Sequence, residues 1–275
     1  MGLIMDLLDS DFPFARNALR GKHALIFGAS KGIGAATAKM MALSGADVTL
    51  CARDLANLQM VADDIGAQAT GRIAIKSIDL EDLGKIDVII DEILSELGPV
   101  HILVNNSGGP PGGPLLSNSV ADFHAPFTRH LHAAHQITKR LTPGMEEAGY
   151  GRIIQIISTS VKEPIPNLGL SNTLRGAMAS WAKSLSRELH PCITINNVLP
   201  GFTDTERLGS LANSINQKTG KSIDEIHGGW MGQVPIQRLV DPLETASAIT
   251  FLALPASGAI RGVSLAVDGG RLRGI

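Results

Sequence analysis

The run Phe27-Gly28-Ala29-Ser30-Lys31-Gly32-Ile33-Gly34 carries the clearest chemistry in this sequence. It follows an apolar stretch, Ala24-Leu25-Ile26-Phe27, and opens a helical pattern through Ala35, Ala38, Met41 and Leu43. Strand, glycine turn, helix is the setting in which backbone N–H groups can close on a pyrophosphate. Glycines allow the tight turn and the close approach, and the helix N-terminus favours negative charge. Gly28, Ser30, Lys31, Gly32, Ile33 and Gly34 are therefore expected to hold the phosphates of a dinucleotide.

The rest of the chain alternates strand and helix signals. Strands are expected over Asp47 to Cys51, Ile73 to Ile78, Val100 to Val104, Arg152 to Ile157, Thr194 to Leu199 and Ser264 to Val267. Helices are expected over Leu55 to Ile65, Leu83 to Leu97, Val120 to Glu147, Asn172 to Leu189 and Leu243 to Leu254. Apolar, β-branched runs between amphipathic helices imply a parallel sheet covered on both faces. Right-handed crossovers make it doubly wound, a Rossmann-type α/β domain. One such domain spans 21–275, preceded by an extension over 1–20 that wraps the domain, joins an oligomer contact or frays. Gly108 to Pro114 must be loop, and Thr205 to Pro235 is polar, glycine-spotted and patchily helical. Both follow strand carboxyl ends, where ligands bind in open α/β sheets, so they are expected to form a substrate rim and a lid at about 205–235.

Composition narrows the class of function. The chain has 275 residues, 44% hydrophobic and 18% charged, enough for one large folded domain. A net charge of −2 gives no basis for binding nucleic acid or an acidic membrane surface. Cys51 and Cys192 are too few for a disulfide framework, and reduced thiols point to the cytoplasm. The first 20 residues lack a signal-peptide pattern, and no apolar run reaches the roughly 18 residues of a membrane helix.

Several motifs in order and spacing make the sequence resemble the short-chain dehydrogenase/reductase family from about Arg20 to Gly270, most nearly its 3-oxoacyl-carrier-protein reductase branch. The glycine turn resembles the family's Gly-x3-Gly-x-Gly, Asp79-Leu80 its adenine-contacting segment, and Asn105-Asn106-Ser107-Gly108 its Asn-Asn-Ala-Gly strand end. Pro200-Gly201-Phe202-Thr203-Asp204-Thr205 is similar to the segment that holds the nicotinamide carboxamide, and Val267-Asp268-Gly269-Gly270 to the domain's end. The resemblance implies cofactor contacts from Asp79, Leu80, Asn106, Ser107, Gly108, Pro200, Gly201, Thr203 and Thr205. An acid closing the second strand would mark NAD, but here that strand ends Leu50-Cys51-Ala52-Arg53. Arg53 and Lys31 are placed to bracket a 2′-phosphate, so NADP(H) is expected.

The active-site pattern breaks. The family pairs a catalytic Ser with a Tyr-x3-Lys beginning thirteen residues later. By resemblance the Ser is Ser158, which puts Ser171 at the Tyr position and Arg175 at the Lys position. The family's Asn falls on His130, and the single tyrosine, Tyr150, precedes the Ser-bearing strand. Arg175 would supply fixed charge and ribose hydrogen bonds, whereas a serine hydroxyl is a poor acid without a partner. Ser158 would hold a substrate oxygen, and His130 would either donate a proton or brace the backbone in place of the Asn. No ligand triad at workable spacing suggests a metal.

Two functions compete. One is an NADP(H)-dependent reductase of a small carbonyl or conjugated enone with an atypical proton donor; the other is a catalytically impaired NADP(H)-binding sensor. The resemblance also implies a homo-oligomer, dimer or tetramer, paired through the helices containing Leu131, Ala133, Ile137, Ala177, Trp181 and Leu185.

Overall fold

The computed structural model describes residues 15–274, so the extension over 1–14 lies outside the described residues. Seven parallel strands lie in the order β3-β2-β1-β4-β5-β6-β7. They are β1 His23–Phe27, β2 Asp47–Ala52, β3 Ile73–Ser77, β4 Ile102–Asn105, β5 Gly151–Ile156, β6 Ile193–Pro200 and β7 Ser264–Val267. Helices α1 Gly32–Leu43, α2 Leu55–Gly66, α3 Leu83–Leu97, α4 Ala133–Glu147, α5 Gly169–Glu188, α6 Glu206–Thr219, α7 Ile223–Met231 and α8 Pro242–Ala253 fill the crossovers, the last three between β6 and β7. The expected Rossmann-type doubly wound sheet is present, with strand order reversing between β1 and β4.

Strand alternation divides the core into two layers. Ala24 and Ile26 of β1 pack with Ala38 and Met41 of α1, Leu58 of α2 and Ile249 of α8. Leu25 and Phe27 face the other way, onto Ile86 and Ile90 of α3, Ile137 and Leu141 of α4 and Ala182 of α5. Leu19, fully buried, donates its amide to Ser44 O at 2.9 Å, so the described end of the extension packs on the α1–β2 turn.

Three expected elements need correction. Val120 to Glu147 is not one α-helix: a 3-10 turn over Val120–Phe123 and an α turn over His124–Phe127 lead into a π turn over Thr128–His132, and regular helix starts only at Ala133. Pro143 inside α4 has no N–H for the Lys139 carbonyl, and the Thr142 hydroxyl donates to that oxygen at 3.4 Å instead. Helix α5 begins at Gly169 rather than Asn172. The patchy segment after Thr205 holds two complete helices, each started by a hydroxyl cap, Thr205 on Leu208 N and Ser222 on Glu225 N. Of the apolar residues expected to pair protomers, Ala133 and Ile137 are core, and Leu131, Trp181 and Leu185 are half-buried against it.

Tyr150 has a structural role. Its hydroxyl donates to the Ala253 carbonyl, and the Lys22 ammonium and Arg152 guanidinium each sit 4.2 Å from its ring centre. Tyr150→Phe strands a buried carbonyl, so urea unfolding should show a loss of about 1–3 kcal/mol with an unchanged m-value. An equal midpoint for the two proteins would refute this role.

Candidate active site

The crevice lies where the sheet reverses, beyond the carboxyl ends of β1 and β4. Gly28 and Gly32 adopt φ of +61° and +53°, and a Cβ on Gly34 would stand 2.1 Å from the Gly28 carbonyl oxygen. Only glycine lets α1 start this close to β1. Across the crevice Asn106 Nδ2 donates to Gly28 O at 3.4 Å. Lys31 caps α1 without a side-chain hydrogen bond, and the first turn contains no acid. Its opening N–H groups therefore suit a phosphate, and the donor set fits a dinucleotide pyrophosphate.

The remaining expected cofactor residues ring the same crevice. Arg53 is exposed beyond β2 and has no ion pair among the described residues. Lys31 Nζ instead pairs with Glu206 Oε2 at 2.8 Å, tying the glycine turn to the lid. Asp79 Oδ1 accepts from Glu81 N at 3.0 Å beyond β3. Pro200 ends β6 opposite Val267, and the Gly201 amide donates to Val267 O at 3.0 Å. Thr203 Oγ1 donates to Gly201 O at 3.3 Å, and the Thr205 methyl lies 3.1 Å from where a Gly32 Cβ would stand. Ser30 and Ile33 belong to the turn and the start of α1.

A cavity of about 10 Å³, room for one water, is enclosed by Leu80, Asn106, Ser107, Arg129, His130 and Arg175 among others. The π turn points His130 into it. Ser107 Oγ lies 2.7 Å from His130 Nδ1, and Nε2 lies 3.1 Å from the Gly108 carbonyl. These partners fix the tautomer: Nε2–H donates to the carbonyl and Nδ1 accepts the serine hydroxyl. Burial first, then the charges of Arg175 and Arg129, push the His130 pKa down to about 2. At neutral pH the ring is an uncharged brace between the π turn and the loop after β4.

Arg175 is buried, and its Nη1 donates to the Ile156 carbonyl at 3.1 Å, two residues before Ser158. Desolvation, with repulsion from Arg207 and Arg129, lowers its pKa to about 10, so it stays charged near neutrality. Ser158 Oγ accepts from Ser160 N at 3.1 Å, which leaves the hydroxyl proton free to donate. Ser171 lies one helical turn before Arg175 on α5, on the same face. Ser107, His130 and Arg175 thus meet around one cavity, while Arg53 and Asp79 follow β2 and β3. Sequence reasoning missed Arg129, Glu206 and Arg207. The last two directly follow Thr205 in the Pro-Gly segment, which was the available signal. Among the described residues no group of three His, Cys, Asp or Glu side chains could hold a metal, and no helix is long and apolar enough to cross a membrane.

This fold and crevice define a nucleotide-dependent oxidoreductase class. Residues 22–216 match the short chain dehydrogenase family, and the chain belongs to it. It is 32% identical over 255 residues to the 3-oxoacyl-(acyl-carrier-protein) reductase FabG of Vibrio cholerae, covering 92% of this chain and 98% of that one. It is 29% identical to the NADPH-dependent reductase BacG of Bacillus subtilis, covering 92% and 99%. Among solved structures, L-sorbose reductase from Gluconobacter frateurii complexed with NADPH and L-sorbose superposes with a TM-score of 0.88 at 26% identity, covering 94% and 100%.

His130 makes acid stability testable. As pH falls below 6.5 an unfolded histidine gains a proton that folded His130 refuses until about 2. Its contribution is thus complete above pH 6.5 and shrinks as pH falls toward 2. His130→Asn should flatten the stability–pH slope below pH 6 by up to about 1.4 kcal/mol per unit. Parallel slopes for wild type and variant, by urea titration, would show that the ring protonates in the folded state.

Proposed function

We propose that this chain is an NADP(H)-dependent reductase of a small carbonyl or conjugated enone substrate, working without the family's tyrosine acid. One observation carries the reading: a glycine cradle after β1, an exposed unpaired Arg53 after β2 and a buried Arg175 supporting the end of β5, which leads to Ser158, all lie at the carboxyl ends of the parallel strands. The NADPH dependence of BacG and the NADPH in the sorbose reductase structure support the choice of cofactor.

The glycine turn and the α1 N-terminus would hold the pyrophosphate, and Arg53 the 2′-phosphate by forked hydrogen bonds. When bound, the cofactor supplies hydride. Arg175 would supply fixed positive charge beside the reacting groups, while Ser158 donates a hydrogen bond to the substrate oxygen. Addition of hydride at the β-carbon of an enone moves the C=C electrons onto that oxygen as an enolate. A proton from water at the α-carbon then completes the saturated ketone, and the enzyme is left with oxidised cofactor. Ser171, lacking a base or acid partner, would serve as a second hydrogen-bond donor. His130 takes the bracing role rather than the acid role, because its only ring proton is committed to the Gly108 carbonyl.

Arg53→Ala should weaken NADPH binding about ten- to a hundredfold and leave NADH nearly unchanged, by fluorescence titration. Equal wild-type affinity for the two cofactors would remove the 2′-phosphate assignment. A turnover assay with NADPH against matched ketones and enones should favour the enones. NADPH binding without turnover on any of them would favour the sensor reading instead.

A further inference from the structure

Arg175 has no counter-ion. Its side chain is 8% exposed, its Nε has no hydrogen-bond partner, and no carboxylate pairs with it among the described residues. A buried guanidinium in that state is costly unless a bound group brings negative charge. A second arginine meets it. Arg207, on the first turn of α6, donates from Nη2 to the Gly109 and Pro110 carbonyls at 3.3 and 2.9 Å and likewise has no acidic partner. The two tips converge on Gly109: a Cβ there would stand 3.7 Å from Arg175 Nη2 and 3.8 Å from Arg207 Nη2. Arg129, the third cation nearby, is already matched by Glu81 at 2.8 Å.

The cofactor's own phosphates have a separate place. Gly28, Gly32 and the open start of α1 form it, at the end of the crevice where Lys31 meets Glu206. Arg207 directly follows the Glu206 that pairs with Lys31, while Arg175 supports the strand leading to Ser158 through Ile156 O. Gly109 adds no side chain between the guanidiniums, so one small anion can reach both. Two planar forks facing a common point match a carboxylate better than any neutral group.

We propose that Arg175 and Arg207 form a carboxylate site, and that the substrate carries a carboxylate within a few bonds of the carbon that accepts hydride. This rests on the reductase reading above and narrows its substrate class. Arg207, on the lid, would grip the acid as the lid closes, so charge selection and closure become one event.

The test uses the full-length protein saturated with NADP+ and needs no turnover. Binding of trans-4-oxo-2-pentenoate and of its methyl ester is compared by calorimetry, alongside NADPH titrations of each protein. The wild-type complex should bind the acid at least tenfold more tightly than the ester. Arg207→Gln should bring the two within about twofold, and Arg207→Lys should restore part of the preference. Equal binding of acid and ester by wild type would overturn the proposal. So would a parallel loss of NADPH affinity in Arg207→Gln, which would assign the pair to the cofactor's phosphates. Acid selection in the NADP+ complex, with no oxidation of NADPH by the same acid in a separate turnover assay, would leave the carboxylate site standing and refute the reductase reading alone.

Discussion

Everything functional in this chain depends on how closely two backbones approach at the reversal of the sheet. With a Gly34 Cβ only 2.1 Å from the Gly28 carbonyl, any side chain there would push α1 away from β1. The open helix start and the Asn106 bridge to Gly28 O would separate with it. Parallel strands buried on both faces supply the rigid frame, because β1 and β4 have covered neighbours on each side. Ligand contacts then fall to the loops after those strands, where backbone N–H groups are unclaimed by the ladder.

Charge is distributed unevenly along that crevice. Beyond β1 and β2 the cations Lys31 and Arg53 are exposed, so on the proposed reading they would act through water-screened attraction and hydrogen-bond geometry. At the reacting end the cation is buried, and its field is strong enough to help hold His130 neutral. Replacing a lysine by an arginine at such a place removes the option of a neutral amine and fixes a planar fork. The neutral histidine brace is compatible with that fixed charge, whereas a second buried cation would not be.

The sheet was legible because its strands are continuous Val, Ile and Leu runs between helix-period segments. The Ser264 to Val267 strand and the Leu83 to Leu97 helix match to the residue. The Val120 to Glu147 segment was harder. Its apolar spacing is helical throughout, but the extra residue of the π turn depends on tertiary contacts of His130 that no local pattern shows. The glycine turn was legible since its chemistry is local. Arg175 and His130 were locatable by resemblance, yet their state was not, because burial and unpaired charge are properties of the folded surroundings. Arg207 was overlooked for the same reason: it looks like an ordinary helix-surface cation until the loop carrying Gly109 is folded against it.

On the reading proposed above, the lack of a phenol beside Ser158 sets the last constraint on the chemistry. Hydride addition to a simple ketone leaves a localised alkoxide, a strong base that must take a proton as it forms, and this crevice offers no acid poised near neutrality. Ser171 is a weak acid, and the His130 ring proton is held by a carbonyl. Hydride addition to an enone spreads the charge over oxygen and carbon, so a hydrogen bond from Ser158 can hold the anion until water protonates carbon. A buried arginine nearby lowers the energy of that anion without giving up a proton, which a phenol–lysine pair is built to do. On the proposed reading, Ser171 and Arg175 are therefore mutually consistent: together they would exchange fast proton delivery for fixed positive charge, and that exchange suits a delocalised anion better than an alkoxide.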